Sequence, residues 1–243
     1  MREFKTCPNP NCQHENRPVA RFCSKCGQPL ADRLVESSPA PRPQIEAMHW
    51  RRRPGEIAAR VEKSDMLESA SSTLVVEEGT LAVLLRDGKI VGEQGPGTYQ
   101  LQNGGNRGWW GPQTEMTAIL IDSGEISLEF ALNELWTIDP LRLNATCLLA
   151  LRVGHPQPFI VNVLKTQPTY TVVDLRQHIF PELRDAAQSY VGSHSLEQLE
   201  AERSNRRDDF AVDVQERLRP LFAQSGIVFE RVQMFDLRHP HID

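Results

Sequence analysis

No stretch of this 243-residue chain approaches the ~18 consecutive apolar residues that a bilayer-spanning helix needs. The opening Met1-Arg2-Glu3-Phe4-Lys5 lacks the apolar core of a signal peptide, which places the protein, on this reading, in a reducing cytoplasm. Catalytic signatures are missing as well. There is no H-E-x-x-H, no G-x-S-x-G, no Ser/His/Asp set, and no glycine-rich loop at a strand-to-helix turn; "GKIVGEQG" (88–95) falls inside a hairpin. The histidines beyond residue 14 (His49, His155, His178, His194, His239, His241) are scattered, each reading as a surface or incidental residue. No catalytic residue is assigned; an active site assembled from distant positions would carry no such local signature.

Positive charge is scarce over most of the chain. Residues 64–243 hold 15 Lys and Arg against 25 Asp and Glu, whereas residues 1–63 hold 12 against 7. A body at −10 has no cationic face with which to release phosphate counterions, so broad nucleic-acid binding is not expected of it. The N-terminal piece, at +5, keeps open one alternative: a zinc-ribbon regulator that binds nucleic acid and uses the rest of the chain for oligomerisation or sensing. The short run Arg51-Arg52-Arg53 reads as a solvated charged turn before Pro54, with an anion patch as the lesser possibility.

Cysteine is scarce too, but concentrated. Four of five lie in "CPNPNCQHENRPVARFCSKCG", spaced Cys7-x4-Cys12-x10-Cys23-x2-Cys26. Two close pairs across a short loop set four thiolates on two facing turns, the tetrahedral arrangement that zinc prefers. Pro8 and Pro10 stiffen the first turn, and Gly27 stands where a tight knuckle requires positive φ. The first pair has two residues more than the usual C-x2-C, read as a tolerated looping-out. Two disulfides are the competing reading, disfavoured in a reducing compartment. His14 is a spare donor, taken as a supporting or surface residue. With four protein ligands no position stays open for water, so one structural Zn2+ is expected over residues 1–30, with no catalytic role. Cys147, in "NATCLLALRV", reads as a buried thiol with no base to activate it.

After the ribbon, "ADRLVESSPAPRPQIEA" (31–47) reads as a flexible to semi-extended linker. From Thr73 the pattern is β: Asp87-Gly88 between Leu81–Leu85 and Ile90–Val91 signals a two-residue hairpin, and Gly95-Pro96-Gly97 a second turn. "MTAILID", "EISLEFAL" and Leu141–Val153 continue as strands. The loop "NGGNRGWWGP" carries Trp109 and Trp110, which suit either a membrane interface or a lid over a sheet edge. The last third turns helical: one helix opened by Pro181-Glu182 and stopped near Gly192, then a capping box at Ser195 and Gln198. A break is expected between Glu200 and Asp209, a second helix through Phe210–Leu221 bent by Pro220 and capped by Gly226, and a return strand "IVFERVQMFDL". The fold class is therefore α+β: a small N-terminal ribbon, an antiparallel β-rich subdomain over 65–135, and an α/β subdomain over 136–240.

This order resembles the SPFH/band 7 family of stomatin, prohibitin and flotillin. The resemblance is carried by "VVEEGTLAVLLRDGKIVGEQGPGTYQL" (75–101), "LLALRVGHPQPFIVNVLKTQPTYTVVDLRQHI" (148–179), "SYVGSHSLEQLEAERSNRRDDF" (189–210) and "LFAQSGIVFERVQMFDLR" (221–238), and covers about 48–240. It implies a non-enzymatic protein that assembles with copies of itself, commonly on a membrane, and scaffolds or restrains partner proteins; the family has no catalytic residues to carry over. The ribbon would serve as the protein-docking module. Two departures are visible: a ribbon and linker stand where most members have a membrane anchor, and the sequence stops at Asp243 without the family's long coiled coil. The expected localisation is cytoplasmic, with peripheral membrane contact.

Overall fold

The computed structural model describes residues 5–9, 12–17, 20, 22–28, 30, 45–46, 49–50, 52–62, 73–100, 116–201 and 204–238. Its strands are β1 (Lys5–Thr6), β2 (Glu15–Asn16), β3 (Ile45–Glu46), β4 (His49–Trp50), β5 (Glu56–Glu62), β6 (Thr73–Val76), β7 (Thr80–Arg86), β8 (Lys89–Gln94), β9 (Gly97–Gln100), β10 (Met116–Asp122), β11 (Ile126–Trp136), β12 (Arg142–Val153), β13 (Thr169–Thr171) and β14 (Ile227–Arg238). The longer helices are α1 (Val172–Gly192), α2 (Leu196–Ala201) and α3 (Arg206–Ser225), preceded by one short helical turn, Pro156–Pro158, that runs into a π-helical turn over Phe159–Leu164. The fold is α+β, as the sequence indicates. The strands form four sheets in the orders β1-β2, β3-β4-β6-β9, β13-β5-β10-β7-β8 and β11-β12-β14. Ile45 and Glu46, at the end of the expected linker, pair with Trp50 and His49.

The apolar runs "LAVLL" and "TAILI" lack alternation because the five-stranded sheet is covered on both faces. Ala82, Leu84, Ala118 and Leu120 look one way and pack with Trp50, Leu74 and Val76 of the four-stranded sheet. Val83, Leu85, Ile119 and Ile121 look the other way, into the main core. β7 and β8 are joined through Asp87 and Gly88 at φ 50° and 76°, the two left-handed positions that a tight hairpin requires. Strand β11 behaves differently. Ile126, Leu128, Phe130 and Leu132 point inward while Ser127, Glu129 and Ala131 stay outside. A bulge at 133–134, with Glu134 at φ 60°, then slips the register so that Leu135 returns to the core.

Helices α1 and α3 cover the inner face of the three-stranded sheet, where Phe210 stacks on Phe235 with centroids 3.8 Å apart. Contrary to the expectation of a helix opened at Pro181, α1 begins at Val172 and runs through Pro181. The start signal is Thr171-x-x-Asp174: the Asp174 carboxylate accepts from the Thr171 N–H at 2.8 Å, and the Thr171 hydroxyl accepts from the Asp174 N–H at 3.3 Å. Proline is tolerated inside because the buried ridge Leu175, Ile179, Phe180, Leu183 holds the helix on the core. Thr171→Ala should therefore lower stability by about 1 kcal/mol, read as a shift of the urea midpoint with unchanged slope. The other helix signals hold: Ser195 and Gln198 form their reciprocal bonds, and Gly226 ends α3 at φ 70°.

At the far end of β11, Gln188 of α1 accepts from the Trp136 N–H and donates to the Trp136 carbonyl, both at 3.0 Å. Among the described residues no helix is long and apolar enough to cross a membrane.

Candidate metal centre

Among the described residues the ribbon consists of two turns, the short β1–β2 pair and a very small apolar core. Its buried apolar residues are Cys7, Cys23 and Leu30, with Cys12, Ala20 and Cys26 against them. In the first turn the Cys7 N–H donates to the His14 carbonyl at 2.9 Å, while Cys12 and Gln13 donate to the Asn9 carbonyl at 2.9 and 3.0 Å. Gln13 takes φ 45°, which lets the longer x4 spacing close. In the second turn the Gly27 N–H reaches the Cys23 carbonyl at 2.9 Å, and the Lys25 N–H donates to the Cys23 sulfur at 3.4 Å. Gly27 sits at φ 72°, the conformation its position demands.

Asn16 ties the two turns together, and the spacing of cysteines does not disclose it. Almost fully buried, it donates to the His14 carbonyl at 2.8 Å, and its oxygen accepts from the Ser24 N–H at 2.9 Å.

All four sulfurs lie within 4.8 Å of one another, Cys7 to Cys26 at 3.5 Å and Cys12 to Cys23 at 3.8 Å. Bonds of about 2.3 Å from a tetrahedral zinc ion put its sulfurs about 3.8 Å apart, so the donor set fits that ion in number, chemistry and spacing. The cysteines are free thiols, not the disulfides of the competing reading. As thiols they titrate unevenly. Burial pushes Cys7 up to about 12 and raises Cys26. Burial also opposes ionisation of Cys23, but the N–H groups of Cys26 and Lys25 and the Asn16 amide outweigh it and bring it down to about 7. A divalent cation at the centre would take all four as thiolates. It is the one such donor group among the described residues.

The other residues singled out from the sequence do not converge. Cys147 is completely buried, which pushes its thiol up and leaves it inert. His178 is held toward its neutral form by burial and by Lys165, and His194 bonds the Tyr190 carbonyl at 2.8 Å. Arg52, from the basic run, is ion-paired with Asp122. Trp109, Trp110, His239 and His241 lie outside the described residues. Burial lowers the pKa of Arg176 and Glu129 opposes it; this arginine, with Phe180, faces the second knuckle. No local pattern marks either one, since both lie some 150 residues from the cysteines they serve.

The SPFH domain / Band 7 family matches residues 74–241, and the zinc-ribbon domain matches residues 10–30. Cys7 lies ahead of the ribbon match yet within the sulfur cluster. Likewise β5 precedes the larger match while pairing inside the five-stranded sheet, between β13 and β10. No curated protein matches the chain in sequence.

Proposed function

Because this chain belongs to the SPFH domain / Band 7 family, we propose that it is a non-enzymatic scaffold whose zinc ribbon is a protein-docking module. In this reading Cys7, Cys12, Cys23 and Cys26 hold one structural Zn2+, and copies of the SPFH domain assemble into a homo-oligomer. The protein works in the cytoplasm and touches the membrane only peripherally.

The observation that carries the reading is the donor set itself. Four sulfurs close the coordination sphere of the ion, so the metal shapes a surface and activates no water. Among the described residues the buried Cys147 and the dispersed histidines form no second cluster of metal-ligating groups. The acidic balance of residues 64–243 further favours protein partners over nucleic acid.

Light scattering of the zinc-loaded chain after size exclusion tests the assembly. A discrete oligomer is expected at micromolar concentration; a monomer would remove self-assembly of these residues from the proposal. Turnover of any substrate that a point change in residues 74–238 abolishes would remove the scaffold reading altogether. Zinc analysis should return one equivalent per chain.

A further inference from the structure

The ribbon does not stand apart from the rest of the chain. The Phe22 ring, beside Cys23, lies under the Arg176 guanidinium at 4.3 Å from its centroid. A Cβ placed on Gly27 would stand 2.9 Å from the Phe180 ring, so the backbone of the second knuckle rests directly on that side chain. Arg176 and Phe180 are one turn apart on α1, which sets them side by side on a single face. The ribbon and the β11 bulge also line a cleft of about 350 Å³, with His14, Asn16 and Arg17 on one wall and Asn133, Glu134 and Asn144 on the other.

We infer that the Arg176–Phe180 face of α1 is a docking surface for this chain's own ribbon, and that metal binding and docking are thermodynamically linked. The inference rests on the zinc reading above. Phe22 and Gly27 flank ligands Cys23 and Cys26, and among the described residues the ribbon's buried apolar set is too small to shape them. The surface presented to α1 therefore exists only when the knuckle is formed, which the metal does. Linkage is reciprocal: if the ion promotes docking, the α1 face must raise affinity for the ion by the same factor. Arg176 suits this role. Its Nε is buried without a hydrogen-bond partner, and the flat cation finds its contact in the ribbon's ring. When the ion leaves, the edge of Phe180 and the Arg176 guanidinium are uncovered for another protein. The ribbon thus makes its first contact within the molecule.

The test is a double-mutant cycle on zinc affinity, read in the full chain by competition with a chromophoric chelator. Arg176→Ala and Phe22→Leu should each weaken zinc binding about two- to thirtyfold, the range of a cation–π contact of ~0.5–2 kcal/mol. The double variant should be no weaker than the poorer single, and Arg176→Lys should recover part of the loss. Arg217→Ala, remote on α3 where Arg217 pairs with Asp213 at 2.8 Å, should bind as the unaltered chain does. Far-UV circular dichroism should be the same throughout. Unaltered affinity in Arg176→Ala, or strictly additive losses, would overturn the linkage while leaving the zinc site intact. A chain that binds no zinc before any substitution would overturn the zinc reading and the linkage with it.

Discussion

Cys23→Ser is expected to unfold the ribbon and leave the SPFH domain folded. The sulfur of Cys23 is almost wholly buried, accepts the Lys25 N–H at 3.4 Å, and belongs to the four-sulfur cluster. Serine offers a harder, shorter and far less acidic donor, so one ligand is lost from a set that has no spare. Structural zinc contributes ~10–16 kcal/mol to such units, far more than three buried apolar side chains supply. Zinc should fall well below one equivalent, the amide resonances of residues 5–30 should collapse toward random-coil positions, and those of 116–201 should persist. Small shifts within α1 around Arg176 and Phe180 are expected from loss of the docked ribbon. Retention of a full zinc equivalent by Cys23→Ser would discredit the ligand assignment. Collapse of both regions together would mean that the ribbon is an integral part of the larger core.

Gly226→Ala should destabilise the SPFH domain by about 3 kcal/mol or more, without touching the ribbon. Gly226 stands at φ 70°, where an alanine costs ~1–2 kcal/mol. A Cβ there would also lie 2.2 Å from the His155 carbonyl oxygen and 2.8 Å from the Phe159 nitrogen. Both are backbone atoms, so no side chain can swing aside. The Gly226 carbonyl meanwhile accepts from Gly154 and His155 at 3.1 and 2.9 Å, which binds the end of β12 to the start of β14. Overpacking of this kind adds ~1–3 kcal/mol, and thermal unfolding should fall by roughly 10 °C. Gly226→Asn separates the two causes, because asparagine accepts positive φ yet keeps the collision. It should be nearly as damaging; a near-normal melting temperature for it would show that the His155 contact relaxes freely.

The parts of the fold legible in the sequence are those fixed by neighbours along the chain. Asp87-Gly88, Ser195 with Gln198, Gly226 and the cysteine pairs are each local devices, and each one behaves in the structure as its chemistry requires. The start of α1 is equally local, a Thr171-x-x-Asp174 box, but Pro181-Glu182 competes with it along the sequence as a helix-opening signal. The π-helical turn at 159–164 has no comparable signature. "FIVNVL" buries Phe159, Ile160, Val163 and Leu164, a spacing that follows from the surface beneath it. In the candidate metal centre the four cysteines can be read directly from the sequence and their support cannot. Asn16 acts across the fold of the ribbon, and Arg176 and Phe180 reach it from a different sheet and helix layer.

The bond pair between Gln188 and Trp136 has a consequence in time. Its amide supplies one donor and one acceptor to the outer rim of β11, as one residue of an adjoining strand would. A foreign strand that approached there would find the partners taken, a protection that exposed sheet rims otherwise need from charge or proline. Yet Gln188 follows Trp136 by 52 positions in the chain. At synthesis rates of ~5–20 residues per second, the rim emerges from the ribosome roughly 3–10 s before its own cover does. In that interval the Trp136 N–H and carbonyl stand without the amide that later occupies them.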